Sequence, residues 1–467
     1  MRESWSSQGH RQRARVLASR DQIEEPLNRA LATLISPRTG IITAVHDTSN
    51  GLCDDWGVWL CFAEMTAPND HVRRTSMWTD WCGGTGVGLD RYSALIAAVG
   101  EAVERYAACT YDPDQDMIWA SYEDVQGAAI SPDEFVLLSA REYEQWKHIV
   151  TPFQAQRPIG WAKGRHFTDG SLALVPASFV YGDYRYSSAD EVLTPVVVST
   201  GLAAGPSWEQ AVLSGLCECV ERDAFMITYL NRLPVPEIDL DQVTHPKVRD
   251  LLDRIPPWAY TSIRAWNLTT DIGIPTVLAM IMGDGETTPA FLCGASANVD
   301  RGQALYKALI EAVQCYGWAT RYLVPKYKDH VWAEDFSDVL TRDDQMGLAA
   351  KSGFAVHLEW LLESRPKTPL ESLPDLRTTS AVEALAVAAD AVQQVGLPVV
   401  TVDLTQPDIA SAGFHATRVL IPGAQPLTFG PVRLLGGRRL YEAPYRLGYT
   451  SEPTTEESLN PVPHPFP

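Results

Sequence analysis

Three times along the chain the same helix-forming pattern recurs, and it restricts the available folds more than any other feature. Counted from an alanine, "ALIAAVGEAVERY" from Ala94, "AVLSGLCECVERD" from Ala211 and "ALYKALIEAVQCY" from Ala304 all read A-x6-E-x2-[E/Q]. Each is rich in Ala, Leu, Ile and Val and has no internal proline, which predicts helix. Each follows a glycine-containing stretch, "GGTGVGLDRYS", "STGLAAGPSWEQ" and "CGASANVDRGQ". The repeated unit therefore reads strand, glycine turn, helix. In the second unit Ser207 is placed to cap the helix, with Gln210 three residues on to complete a capping box. Three such units predict an α/β (α+β) fold assembled from related supersecondary pieces, not three independent domains.

The acids sit at one spacing. Glu101 with Glu104, Glu218 with Glu221, and Glu311 with Gln314 are i,i+3 neighbours on one helical face. Their surroundings are otherwise apolar, which marks largely buried helices. Buried paired carboxylates are costly unless something positive meets them. A salt-bridge ladder, Glu101 to Arg105 and Glu218 to Arg222, would account for one such helix. Three helices with the same acids point instead to convergence on shared cations. Hard oxygen ligands suit Mg²⁺, which usually arrives with phosphates attached. Other metal and nucleotide readings fail on spacing: no Glu-x-x-His, no zinc-like His/Cys cluster and no G-x-x-x-x-G-K-[ST] occurs. The "GGTGVG" stretch, Gly83 to Gly88, can offer backbone N–H groups to phosphate at a helix N-terminus, a weak signal alone.

The net charge of −20 makes nucleic acid or an anionic membrane an unsuitable general partner. The eight cysteines form no CxxC pair and several lie in apolar segments, so they read as reduced and structural. Neither a signal-peptide h-region nor a run of eighteen apolar residues occurs, and a cytoplasmic location is the expectation. Residues 1–34 read as an amphipathic helical extension, a contact for a partner or for a second copy in a homodimer. A catalytic domain would span 35–450, with helical insertions near 110–165 and 322–380. Residues 451–467 would be a flexible tether, "SEPTTEESLN", and a tail, "NPVPHPFP", whose alternating prolines favour an extended rod.

Taken in order, "EAVERY", "STGLAAGPSWEQAVLSGLCECVERDAF", "EAVQ", "VTVDLTQPDIASAGFHATRVLIPG" and the closing "PHPFP" resemble the YcaO family of ATP-dependent peptide-backbone modifying enzymes, from about Ile35 to Pro467. The resemblance implies an ATP-binding fold with mixed, largely antiparallel sheets, unlike kinases and P-loop proteins. It implies that Glu101, Glu104, Glu218, Glu221 and Glu311 hold Mg²⁺, with Gln314 beside the phosphate or water. Arg105 and Arg222 would neutralise charge, and Gly84, Thr85 and Gly86 would line the nucleotide. The tail, with Pro463, Pro465 and Pro467, would turn inward so that its terminal carboxylate positions or deprotonates substrate. The implied reaction is cyclodehydration of Cys, Ser or Thr in a precursor peptide to thiazoline or oxazoline. The implied partners are the peptide, a leader-binding E1-like (ThiF-like) protein and a flavin-dependent azoline dehydrogenase. Thioamide or amidine formation on the same scaffold, and a non-catalytic nucleotide-binding scaffold, are the competing readings. The chain departs from the family pattern at Ala97, Thr85, Thr200 and Tyr316, which bears on phosphate and nucleoside contacts more than on the Mg²⁺ scaffold.

Overall fold

The computed structural model describes residues 31–48, 56–66, 83–182, 184–194, 199–363 and 366–467. Most of the expected N-terminal extension, with Cys53 and Cys82, lies outside them. In chain order, β1 (Ile42–Asp47), β2 (Trp59–Met65) and β3 (Gly83–Gly88) form a first antiparallel sheet. Next come β4 (Met117–Ala120), β5 (Ile159–His166), β6 (Leu172–Pro176) and β7 (Leu202–Gly205). A separate three-stranded sheet follows, β8 (Ser262–Asn267), β9 (Thr276–Met282) and β10 (Phe291–Ala297). Then β11 (Val400–Asp403) and β12 (His415–Leu420) complete the middle sheet in the order β4-β5-β11-β12-β7, with β6 on β5. Every pairing between these strands is antiparallel.

The three repeats become α1 (Arg91–Ala108), α2 (Trp208–Asn231) and α3 (Arg301–Trp318). Each starts on a side-chain cap. Asp90 accepts from Ser93 N–H at 2.8 Å, Ser207 from Gln210 N–H at 3.3 Å and Asp300 from Gly302 N–H at 2.8 Å. Each helix leans on its own strand and on that of the next unit: α1 on β3 and β7, α2 on β7 and β10, α3 on β10 and β3. The three units thus close a cycle around one junction.

The glycines act inside the strands. A Cβ on Gly84 would lie 2.3 Å from Ala98 O and Ala102 N, so strand β3 and helix α1 meet backbone to backbone. Gly201, ahead of β7 with φ +91°, is wedged between β12 and α2, with Val419 O 2.1 Å and Cys219 Sγ 2.8 Å from a built Cβ. This close approach lets a strand N–H reach a helix carboxylate.

Separate apolar cores fill the spaces around the cycle: one under α1, one between α3 and the third sheet, one joining α2 to α4 (Ala381–Gln394), and one holding the second half of α2, the third sheet and the end of the chain. The six described cysteines are free and five are buried. No helix among the described residues is long and apolar enough to cross a membrane.

Candidate functional site

The first acid of each repeat is held by the backbone of its own unit. Thr85 donates to Glu101 through both its N–H and its hydroxyl, the latter at 2.8 Å. Gly201 N–H donates to Glu218 at 3.1 Å and Ala295 N–H to Glu311 at 2.9 Å. The second acidic position looks toward the next unit. Glu221 accepts from Ala297 N–H at 3.4 Å, and the Gln314 amide donates to the Thr85 hydroxyl at 2.9 Å. Glu104 lies in the field of Glu218 and Arg418. The cycle of helices therefore gathers all the sequence-predicted acids, with Gln314, at one junction.

Gly84, Thr85 and Gly86 lie against the middle of α1, not its N-terminus, because close packing sets β3 alongside Ala94, Ala98 and Ala102. Thr85 N–H is directed at Glu101. Arg105 pairs with Glu101 and donates to Gly83 O at 2.7 Å. Arg222 sits 3.2 Å from Glu221 and 3.6 Å from Glu218. Arg418 on β12 donates to Ser199 O at 2.6 Å.

Burial and mutual repulsion dominate the electrostatics. Burial lifts Glu104 well above the usual carboxylate range, and the charges of Glu218 and Glu101 add to the rise. Burial also raises Glu218, Glu221 and Glu311, against the opposing pull of Arg222. Among the described residues no three His, Cys, Asp or Glu side chains stand together as a ready-made ligand set. Several acids are instead turned onto strand N–H groups and arginines. The donor chemistry fits Mg²⁺ nevertheless: the oxygens are hard, negative charge is crowded, and the Glu104 carboxylate accepts no hydrogen bond among the described residues.

The chain end runs antiparallel to the second half of α2. Asn460 N–H donates to Leu230 O at 2.6 Å, and the Tyr229 hydroxyl to Pro463 O at 3.0 Å. His464 Nε2 lies 2.7 Å from Thr428 O, and Gln345 donates to His464 O at 3.3 Å. Pro465 is buried and Phe466 has no exposed surface. The Phe466 ring lies 4.9 Å from that of Phe225 and 4.3 Å from the Arg222 guanidinium. Phe466 thus brings the proline-rich tail beside the arginine that pairs with Glu218 and Glu221.

Sequence reasoning missed Arg418, although it stands within the "HATRV" stretch, and the buried pairs of Arg439 on α5 (Arg438–Arg446) with Asp223 at 2.9 Å and with Asp271. It also missed a cavity walled by Phe135, Phe179, Leu420 and Leu434, with Thr200 and Arg418 on its lining. Pairing across hundreds of residues leaves no local signal for any of these.

A family model described as YcaO cyclodehydratase, ATP- and Mg²⁺-binding, matches residues 85–425. An uncharacterized protein of Methanothermobacter thermautotrophicus is 27% identical over 359 residues, covering 76% of this chain and 84% of that protein. A heterocyclase solved in complex with substrate and cofactor is similar at a TM-score of 0.77 and 24% identity, over 94% of this chain; the match spans only 57% of that longer chain. YcaO from Methanopyrus kandleri, bound with AMPPCP and Mg²⁺, is similar at a TM-score of 0.57 and 20% identity, over 82% of this chain and 86% of that one. At these identities the two structural likenesses speak for the fold.

Proposed function

The chain belongs to the YcaO family, and from that premise we propose that it is an ATP- and Mg²⁺-dependent cyclodehydratase closing Cys, Ser or Thr residues of a ribosomally made precursor peptide into thiazolines or oxazolines. In the proposed reaction the side-chain thiol or hydroxyl of the peptide loses its proton and attacks the preceding amide carbon. That new C–S or C–O bond closes the ring; the amide oxygen then takes a phosphoryl group and departs as phosphate, the amide N–H loses its proton, and the C–N bond becomes C=N. ATP with Mg²⁺ would supply the phosphoryl group and neutralise its charge.

This chain's own residues would divide the work. Glu101, Glu104, Glu218, Glu221 and Glu311 would hold the cations, and Gln314 a neighbouring oxygen. Arg105 and Arg222 would offset charge, and Gly84, Thr85 and Gly86 would act through Glu101. Arg418 lines the cavity and acts on both Glu104 and Glu218; the cavity is therefore read as the nucleoside end and the carboxylates as the phosphate end. Pro463, Pro465 and Pro467 would set the chain terminus against the substrate, next to Arg222.

One observation carries this reading. Three acidic helices, their first carboxylates held by backbone N–H groups, converge beside Arg222, on which the proline-rich tail packs through Phe466, an arrangement that would serve phosphoryl transfer next to a bound peptide. It favours ring closure over the thioamide, amidine and scaffold readings, none of which calls for that tail. Calorimetric titration with a non-hydrolysable ATP analogue tests the assignment. Binding is expected only with Mg²⁺, and Glu218→Gln is expected to weaken it about tenfold through loss of one charged oxygen ligand. Equal affinity in the variant would remove Glu218 from the site.

A further inference from the structure

The short helix Ala140–Trp146 belongs to the first insertion and carries none of the converging acids. Its Glu142 is nevertheless only 5% exposed. Both carboxylate oxygens are occupied by backbone N–H groups: Oε1 accepts from Arg433 at 3.2 Å, and Oε2 from Leu435 at 2.8 Å and from Ser139 at 3.0 Å. Between the two distant donors lies Leu434, at φ +51°. The left-handed region costs an ordinary L-residue about 1–2 kcal/mol. A buried, charge-assisted grip on either side holds the turn there.

Three parts of the site hang on that turn. The Arg433 guanidinium donates to Asn460 O at 2.6 Å, at the start of the proline tail. Leu434 O accepts from the Gln425 side chain at 3.0 Å, and Gln425 N–H donates at 2.9 Å to Asp223, the residue after Arg222 on α2. The Leu434 residue itself lines the cavity that holds Arg418. Gln425 and Asp223 are 1% and 0% exposed, so water does not substitute for these links.

We propose that Glu142 is a positioning residue: by clasping the 433–435 turn in a left-handed shape, it seats the proline tail and shapes the cavity. The proposal rests on reading tail and cavity as parts of the active site. Its test needs neither catalysis nor nucleotide, so it can fail independently of that reading.

Hydrogen exchange followed by mass spectrometry on the full chain is the measurement. Glu142→Ala should speed exchange about tenfold at the amides of Val462, His464 and Phe466, with the third sheet unchanged. Adding Leu434→Gly, which removes the backbone strain that the clasp opposes, should return those amides to near the native rate. Arg433→Met, which cuts only the link to the tail, should speed the same amides while Leu435 N–H stays protected. Unchanged tail exchange in Glu142→Ala, acceleration shared equally by the third sheet, or no recovery in the double variant would overturn the proposal. If Glu142→Ala does not accumulate as folded protein, Arg433→Met decides alone, and equal or absent effects at tail and turn would overturn it.

Discussion

Glu104 sits in the sharpest electrostatic conflict of the site. Among the described residues its carboxylate is held by no backbone N–H, unlike Glu101, Glu218 and Glu311, and burial with two neighbouring acids pushes its pKa well up. Keeping it ionised without a cation costs stability, so function and stability should trade off here. Glu104→Gln keeps the shape and removes the charge. We expect it to raise metal-free stability by about 1 kcal/mol in urea denaturation while weakening Mg²⁺-dependent analogue binding about tenfold. A loss of stability would mean that Glu104 has a structural partner and is not a waiting ligand.

At the level of elements, the tail is a buried strap along α2, and His464 is its titratable clasp. The ring is 5% exposed, and its Nδ1 has no hydrogen-bond partner among the described residues. Burial, with the charges of Arg222 and Arg433, pulls its pKa down to about 4. The folded chain thus holds His464 neutral, whereas the unfolded chain protonates it near pH 6.5. The associated stability is fully present above about pH 6.5 and is lost as pH falls toward 4. Between pH 7 and 5 the native chain should lose roughly 2 kcal/mol more stability than His464→Gln, and parallel pH profiles would sink the assignment. The helices and their acids were legible because period 3.6 and an i,i+3 pair are local signals. Placement of the glycines was not, because a Cβ clash between Gly84 and Ala98 or Ala102 exists only after β3 meets α1. The clasp of Glu142 on Arg433 spans 291 positions and was equally invisible.

For the whole molecule, the repeat meant one fold, and the closed cycle gives the reason. Each helix packs on the strands of two successive units. Glu221 reaches from the second unit to the third, and Gln314 from the third to the first. The order of the cycle could not be read from the repeat alone, because all three units carry the same apolar face and only their capping and glycine contacts distinguish them. A ligand held at the proposed site would touch all three units at once, so it should stabilise them as a body. At a hundredfold excess over its dissociation constant, the Mg²⁺-bound analogue adds about 2.7 kcal/mol. With the unfolding entropy of a chain this long, that is a rise in Tm of about 3 °C. Calorimetry should show one transition moving by that amount, with chelation of Mg²⁺ returning it. If the transition splits and only one part moves, the site belongs to one unit, and the cycle is only a packing arrangement.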